Sequence, residues 1–328
     1  MHRSSSMRRR LLAALALSLA AGAPAFAQAA YPAQPVKMIV AYGAGGGTDI
    51  IARLMAQYMA KYLGNNASVV VVNRPGAGGA IGFAEVAKAP ADGYTIGFIN
   101  TPNVLTIPIE RKSNFHWQDF ELLGNAVDDP GNFSVHADSS HKTLKDLVAY
   151  AKAHPGEVTY GTTGIGSDDH ISALMLERAA GIKMTHVPFK GAAEVHNGVL
   201  SKQITVAAMN IGEALQYAKG GSTIRQLGQM STARTTLAPN VPTFKEQGYD
   251  IVMASLRGIA APKGLPPAVR DQLVAAVQKA AADPEFQAKA AGFFAPLRYL
   301  PPPAYAAELR DAEAGFKQLW TVLPWGEK

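Results

Sequence analysis

The chain contains two glycine-rich turns, Tyr42-Gly-Ala-Gly-Gly-Gly-Thr-Asp49 and Tyr160-Gly-Thr-Thr-Gly-Ile-Gly-Ser-Asp-Asp-His170. Each turn follows a short apolar, β-prone run and opens an amphipathic helix. Such a turn presents backbone N–H groups at a helix N-terminus, where an anion is stabilised. Because the two turns fall in separate predicted domains, we expect them to hold a small anionic ligand from both sides of a cleft.

On either side of the turns, strand-like and helix-like segments alternate, which predicts an α/β fold with a mostly parallel sheet covered by helices. The turn residues Asp128-Asp129-Pro130-Gly131, and an extended apolar run at 249–259, predict two crossings between two lobes joined by a hinge. The predicted divisions are a signal peptide at 1–27, lobe 1 at 28–127 plus 249–328, and lobe 2 at 128–248. Predicted strands cover 36–41, 69–72, 94–99, 158–161 and 186–189, and predicted helices follow Asp49 and cover 81–88, 143–154, 171–180, 192–201, 267–291 and 303–319.

The first residues have the pattern of a secretory signal peptide. The basic run Arg8-Arg9-Arg10 precedes an apolar stretch at 11–21, and small residues follow around Ala25-Phe26-Ala27. The apolar stretch is too short to span a bilayer. We therefore expect cleavage after Ala27 or Ala29 and export to the periplasm.

The net charge and the absence of cysteine limit which partners and which chemistry the exported chain can have. The formal charge of +6 falls by four when Arg3 and the three arginines of the basic run are removed. A near-neutral chain without a long Lys/Arg cluster gives no reason to expect nucleic-acid binding. The absence of cysteine excludes disulfides, thiolate nucleophiles and Cys-based zinc sites.

The first turn does not match the nucleotide-binding motifs. A dinucleotide fingerprint starting at Gly43 needs glycine where Thr48 stands, and Asn73 ends the second strand where ribose recognition needs an acidic residue. No Gly-Lys-Ser or Gly-Lys-Thr follows the glycines, which excludes a P-loop. We therefore expect no nucleotide cofactor.

The second turn places Ser167 three residues before His170, which raises the alternative of a Ser/His hydrolase. A nucleophile elbow needs glycine where Asp169 stands. We therefore expect Ser167 to cap the helix or to contact the ligand, and His170 either to bond the neighbouring backbone or to contact the ligand. The eight histidines show no metal-binding spacing, and Asp168-Asp169 suits the helix dipole, so no catalytic residue and no metal are expected.

Aromatic and polar residues near the turns add candidates for ligand contact. Tyr42 and Phe189 each end a strand that leads to the predicted cleft, where both core packing and a ligand wall remain open. The loop Asn100-Thr101-Pro102-Asn103 lies at the same predicted edge, and its Thr101 hydroxyl and its amides can bind a second polar group of a ligand.

Several motifs follow one another in a fixed order along the chain. They are the second turn together with Asn73-Arg-Pro-Gly-Ala-Gly-Gly-Ala-Ile-Gly82, Ala91-Asp-Gly-Tyr-Thr95, His186-Val-Pro-Phe-Lys-Gly191, Val241-Pro-Thr243 and the Gly258-x-x-Ala-Pro262 stretch. In their order along the chain they resemble the Bug family of TctC-like periplasmic receptors of tripartite tricarboxylate transporters. The resemblance covers essentially the whole exported chain. It implies a type II periplasmic binding fold, in which two α/β lobes capture a small carboxylate in the cleft between them.

The resemblance also implies which residues contact the ligand. In the family the carboxylate is held largely by main-chain groups and ordered water at the two turns rather than by an arginine. The residues carried over are Tyr42, Ala44, Gly45, Gly47, Thr48 and Asp49 from the first turn, and Thr162, Thr163, Gly164, Gly166, Ser167 and His170 from the second, with Phe189 as a wall.

The chain departs from the family at positions that affect ligand choice. Glycine replaces two prolines of the first turn, Leu256 replaces a usual tryptophan, and Asn197 stands where an acidic residue is common. The expected protein is a monomeric, non-enzymatic receptor for a small organic anion, namely a di- or tricarboxylate, an aromatic acid or an acidic amino acid. Its expected partners are the membrane components of a tripartite transporter, and the alternative is a ligand-sensing accessory of a signalling system.

Overall fold

The structure is a computed structural model that describes residues 31–326. The predicted signal peptide at 1–27 lies outside the described residues. Within the described part, no helix is long and apolar enough to cross a membrane. Parallel and antiparallel strands pair in one mixed sheet that runs through both lobes.

The first lobe is built around three parallel strands and one antiparallel strand that returns from the far end of the chain. Strands β1, β2 and β3 pair in parallel, and β9 pairs antiparallel with β3 and with β4. The strands are β1 (Val36–Val40), β2 (Val69–Asn73), β3 (Thr95–Asn100), β9 (Ala254–Pro262), β10 (Leu297–Leu300) and the first part of β4 (Phe120–His136). The helices are α1 (Gly47–Leu63), α2 (Ala80–Lys88), α3 (Asn103–Glu110), α8 (Pro267–Ala282), α9 (Pro284–Gly292) and α10 (Pro302–Val322).

The second lobe lies between β4 and β9 in the chain. The last part of β4 pairs antiparallel with β7 and β8, and β5 pairs in parallel with both β6 and β7. Its strands are β5 (Thr159–Thr162), β6 (Thr185–Pro188), β7 (Val206–Asn210) and β8 (Ile224–Gln229), and its helices are α4 (Leu144–Ala153), α5 (Asp168–Ala180), α6 (Ala192–Leu200) and α7 (Ile211–Lys219).

Strand β4 is one of the two crossings between the lobes. It is continuous over 17 residues, so the turn-prone residues at 128–131, where a crossing was predicted, lie within a strand. Pro130 still pairs with β9 of the first lobe, and Gly131 is the first residue to pair with β7 of the second lobe. The chain returns through the segment that leads into β9, where Gly131 N donates to Met253 O at 2.9 Å. Two extended crossings of this kind are the hinge of a two-lobed binding fold.

Each lobe has its own hydrophobic core. The first core contains fully buried Met38 and Phe83, and the second contains fully buried Phe133 and Leu176. The C-terminal segment joins the second core, because Trp325 is 1% exposed and packs there. The domain boundaries proposed from the sequence, 28–127 plus 249–328 and 128–248, remain a prediction.

Candidate functional site

The first glycine turn is stabilised by its own acidic residue. The carboxylate of Asp49 accepts hydrogen bonds from Gly45 N at 3.0 Å, Asn73 Nδ2 at 2.9 Å and Arg53 Nη2 at 2.8 Å. Burial raises the pKa of Asp49, but the bonds from Arg53, Gly45 and Asn73 outweigh it and hold the pKa below its usual range. The charge of Asp49 is therefore used to shape the turn.

The two threonines predicted to contact the ligand in the first lobe are also bonded within that lobe. Asn100 Nδ2 donates to Thr48 Oγ1 at 2.8 Å. Leu256 N donates to Thr101 Oγ1 at 2.9 Å, which ties the end of β3 to β9. Thr48 still lines the space between the lobes, whereas Thr101 does not.

The second turn is held by side chains that fold back on it. Ser167 accepts a hydrogen bond from His170 N at 3.1 Å, and this is the N-cap of α5. The Nδ1 atom of His170 accepts from Gly166 N at 3.2 Å, and Thr162 Oγ1 lies 2.7 Å from His186 Nε2. Burial lowers the pKa of His170 to about 3 and that of His186 to about 4, so both rings are neutral near pH 7.

The geometry of a Ser/His nucleophile is not formed at the second turn. Ser167 is fully buried, and within residues 31–326 no hydrogen bond joins its hydroxyl to the ring of His170. A nucleophile and its base need that bond or a close approach to it. The cap and the backbone bond account for the two side chains instead.

Glycines at the turns allow the two lobes to touch through their backbones. A Cβ on Gly164 would lie 2.7 Å from Gly78 Cα, and a Cβ on Gly166 would lie 2.8 Å from Thr106 Oγ1. At the first turn, Gly43 N donates to Lys190 O of the second lobe at 3.0 Å. The lobes are therefore closed on one another at both turns.

Both turns line a small space between the lobes, which we call the inner cavity. The inner cavity has a volume of about 20 Å³, which is the scale of a single water molecule. Side chains from β7, α7 and β9 fill the rest of the space. The inner cavity is lined by Tyr42, Gly43, Gly46, Gly47, Thr48, Asp49, Asn100, Asn103, Thr163, Asp168, Ala192, Asn210, Glu213, Ser255 and Arg257.

A buried ion network surrounds Arg257 at the wall of the inner cavity. Arg257 Nη2 lies 3.1 Å from Asp129 Oδ2 and 3.3 Å from Glu213 Oε1, and it donates to Asn210 Oδ1 at 2.9 Å. Burial raises the pKa of Asp129 to about 7 although Arg257 opposes it, and burial likewise raises the pKa of Asp168 to about 6. Among the described residues of this network, Asp129, Asp168 and Glu213 are acidic and Arg257 is the cation, so the acidic groups outnumber the positive charge.

Sequence reasoning missed this network. Arg257 is a single charge inside the apolar run that became β9, and Asn210 and Glu213 have the spacing of a helix capping box, which both form at α7. These local signals were available in the sequence. They do not show that Arg257 forms an ion pair with Asp129 in the cleft, because Asp129 lies 128 positions earlier in the chain.

A second, larger space opens beside the inner cavity, and we call it the outer groove. It measures about 320 Å³ and lies between the loop at 76–79 of the first lobe and the second turn. Arg111, which pairs with Glu110 at 2.7 Å, and exposed Lys190 add positive charge to its wall. The groove is lined by Gly76, Ala77, Gly78, Gly79, Arg111, Thr163, Gly164, Ile165, Pro188, Phe189 and Lys190.

The structure separates the predicted ligand contacts into three groups. The residues on the inner cavity are Tyr42, Gly47, Thr48, Asp49 and Thr163, and those on the outer groove are Thr163, Gly164 and Phe189. Ala44 and Gly45 are exposed at the edge of the first turn, and Thr101, Thr162, Gly166, Ser167 and His170 line neither space. Their contact with a ligand remains a prediction.

Known proteins match this chain over most of its length. The sequence profile of the family described as tripartite tricarboxylate transporter family receptor, TctC, matches residues 51–294. A UPF0065 protein in the gbd 5' region of Cupriavidus necator is 35% identical over 296 residues, which is 90% of this chain and 89% of the relative.

Two solved structures are similar in fold. The periplasmic binding protein BugD has a TM-score of 0.85 and 31% identity, covering 91% of this chain and 100% of its own. The R. palustris protein Rpa4515, solved with adipate, has a TM-score of 0.83 and 26% identity, covering 89% of this chain and 97% of its own.

The two-lobed α/β fold with a cleft between the lobes defines a periplasmic solute-binding protein of type II. The family and these structural neighbours are solute-binding proteins rather than enzymes, so the hydrolase alternative is not supported. The chain belongs to the TctC family of tripartite tricarboxylate transporter receptors. The family resemblance predicted from the motifs is confirmed.

Proposed function

We propose that this protein captures a small carboxylate in the cleft between its lobes and delivers it to the membrane components of a tripartite transporter. The observation that carries the proposal is that Gly47 and Thr48 of the first turn share one cavity with Thr163 of the second. The N-terminus of α1 points its backbone dipole into this cavity, which favours an anion.

The outer groove supports the same ligand class. Its volume of about 320 Å³ is of the order of a small-molecule site, and its cations Arg111 and Lys190 suit an anion. The related R. palustris protein was solved with adipate, a dicarboxylate. Dicarboxylates, tricarboxylates, aromatic acids and acidic amino acids all fit this chemistry, and half-buried Phe189 offers an aromatic acid a wall.

Ligand capture depends on the closed form of the lobes. A ligand shifts the lobes only if it makes contacts in the closed form that the open form lacks. Backbone contacts such as Gly78 against Gly164 exist only when the lobes meet. We propose that the exported protein works as a monomer in the periplasm and presents this closed form to its transporter.

A thermal-shift screen of these acids, followed by calorimetry of each hit, tests the ligand class. A ligand that binds only the native state at one hundred times its Kd adds about 2.7 kcal/mol to the free energy of unfolding. Thr163→Val should weaken the binding of a hit, whereas Thr185→Val, on the exposed strand β6, should not. If none of the acids raises the melting temperature, the carboxylate proposal is wrong.

Delivery to a transporter is tested separately from binding. The purified, ligand-loaded receptor should retain the membrane components of a tripartite transporter in a pulldown, and more of them than the unloaded receptor. Recovery of a signalling protein instead of transporter components would favour the sensing alternative.

A further inference from the structure

A carboxylate of the protein itself occupies the anion position at the first turn. Gly47 N, at the start of α1, donates to Glu213 Oε1 at 2.8 Å. Glu213 lies on α7 of the second lobe, and it is 7% exposed. The backbone donor that the sequence assigned to a ligand is therefore bonded to a residue from across the cleft.

Arg257 contacts the same carboxylate of Glu213 from a second side. Its Nη2 atom lies 3.3 Å from the same oxygen of Glu213. A carboxylate that meets both a helix N-terminus and a guanidinium has two sources of electrostatic stabilisation. Arg257 Nε is buried and has no hydrogen-bond partner among residues 31–326, so these residues leave one donor of the guanidinium unused.

The capping role of Glu213 does not account for this contact. Its other oxygen, Oε2, accepts from Asn210 N at 3.2 Å and closes the capping box of α7. That box needs one oxygen only. Arg257 also has a second carboxyl group within reach, because Asp129 Oδ2 lies 3.1 Å from the guanidinium.

Two more side chains of the inner cavity have polar atoms without partners. Asn100 Oδ1 and Asn103 Nδ2 make no hydrogen bond within the described part of the chain, and the residues are 4% and 2% exposed. Buried polar atoms are almost always bonded, and an unpaired one is costly. An acceptor and a donor thus remain unused beside the carboxylate position, as expected where a ligand's other polar groups bind.

We propose that Gly47 N–H and Arg257 form the position of the ligand carboxylate, and that Glu213 occupies this position in the unliganded protein. The inference rests on the proposed function. Glu213 acts as an internal carboxylate that holds the lobes closed and that a ligand must displace. A ligand can bind only those molecules in which Glu213 has left the carboxylate position. The internal carboxylate therefore lowers the apparent affinity for the ligand in proportion to that fraction.

The matched pair Glu213→Gln and Glu246→Gln tests the proposal. Glutamine keeps one oxygen for the capping box of α7 but loses the charge at Gly47 N–H. Glu246 makes the same kind of bond to Thr243 N, at 2.6 Å, on the exposed side of the second lobe. With adipate as the probe in calorimetry, Glu213→Gln should bind about tenfold more tightly than wild type, the equivalent of one charge-assisted hydrogen bond, and Glu246→Gln should bind as wild type does.

The role of Arg257 is tested in the Glu213→Gln variant, because Arg257 also stabilises the competing carboxylate of Glu213. Arg257→Lys keeps a positive charge beside Asp129 but removes the guanidinium, and in the Glu213→Gln background it should weaken adipate binding about tenfold. Circular dichroism and the melting temperature establish that the variant is folded. Equal affinities of Glu213→Gln with and without Arg257→Lys would overturn the role of Arg257, and wild-type affinity in Glu213→Gln would overturn that of Glu213.

A distance measurement separates this inference from the proposed function. The chain has no cysteine, so Lys88→Cys and Lys152→Cys place one spin label at an exposed residue of α2 and one at an exposed residue of α4. Without ligand, the otherwise unchanged protein should show a short distance between the labels and Glu213→Gln a longer one. Equal distances would overturn the internal carboxylate even if adipate binds. A longer distance in Glu213→Gln, with no carboxylate bound by any variant, would support the internal carboxylate and count against the proposed function alone.

Discussion

The hydroxyl of Ser167 caps α5, because it accepts a hydrogen bond from His170 N at 3.1 Å. Ser167 is fully buried, so water cannot replace this bond. Ser167→Ala leaves that N–H without a partner, and we expect the free energy of unfolding to fall by about 1 kcal/mol. Urea denaturation measures the change. Thr143→Ala, at the cap of exposed α4, is the control and should lose a similar amount. A loss of ligand affinity without a loss of stability would show that the hydroxyl contacts the ligand instead.

His186 makes stability depend on pH. Burial lowers its pKa to about 4, whereas the unfolded chain has the ordinary value of about 6.5. As the pH falls below 6.5 the unfolded state takes up a proton that the folded state does not, so stability is lost between pH 6.5 and 4. At pH 5 the loss is about 2 kcal/mol.

His186→Gln should remove this contribution and make the fall in stability between pH 7 and 5 smaller by about 2 kcal/mol at pH 5, and the slope that remains comes from buried His170. Urea denaturation at several pH values measures it, and His154→Gln, at the exposed end of α4, is the control. Parallel profiles for wild type and His186→Gln would contradict the assignment.

Among the elements, α1 begins in close contact with Glu213 of the second lobe and with Arg257 of β9. A Cβ on Gly47 would lie 2.6 Å from Glu213 Oε1 and would also contact Arg257 Nη1. We expect Gly47→Ala to lower the free energy of unfolding by about 1–3 kcal/mol. Gly315→Ala, in α10 with no atom within 4 Å of the added methyl group, should raise it by about 0.5–1 kcal/mol. Equal effects of the two substitutions in denaturation would show that the cleft can relax around the methyl group.

Elements with strong local patterns were predicted correctly. Strands β1 and β2 and helices α4 and α6 lie within about a residue of their expected bounds, because periodicity and caps are carried by neighbouring residues. The stretch Asp128-Asp129-Pro130-Gly131 is rich in turn residues but lies within β4. Pairing of Pro130 with β9, and the ion pair of Asp129 with Arg257, override its turn propensity.

At the scale of the whole molecule, the segment after α10 packs into the core of the second lobe and so connects the two lobes. Trp325 follows α10, lies in the second core and packs against Trp320 with ring centroids 4.7 Å apart. Trp325→Ala should lower the free energy of unfolding by about 3–5 kcal/mol. Val322→Ala, at a residue 56% exposed, should change it by less than about 0.5 kcal/mol. Denaturation measures both, and a small effect of Trp325→Ala would mean that the C-terminus does not stabilise the closed lobes.

Local sequence was enough to establish the main strand-turn-helix units and the family, because each depends on residues that are adjacent or in a fixed order. It left Ser167 open between a helix cap and a ligand contact, and the structure shows the cap. Only the tertiary structure decided what fills the cleft. Asp129, Glu213 and Arg257 come from β4, α7 and β9, and the energy of a buried charge depends on which groups surround it in space. The glycine turn was readable as an anion site, but its present occupant, Glu213, became visible only when the two lobes were seen together.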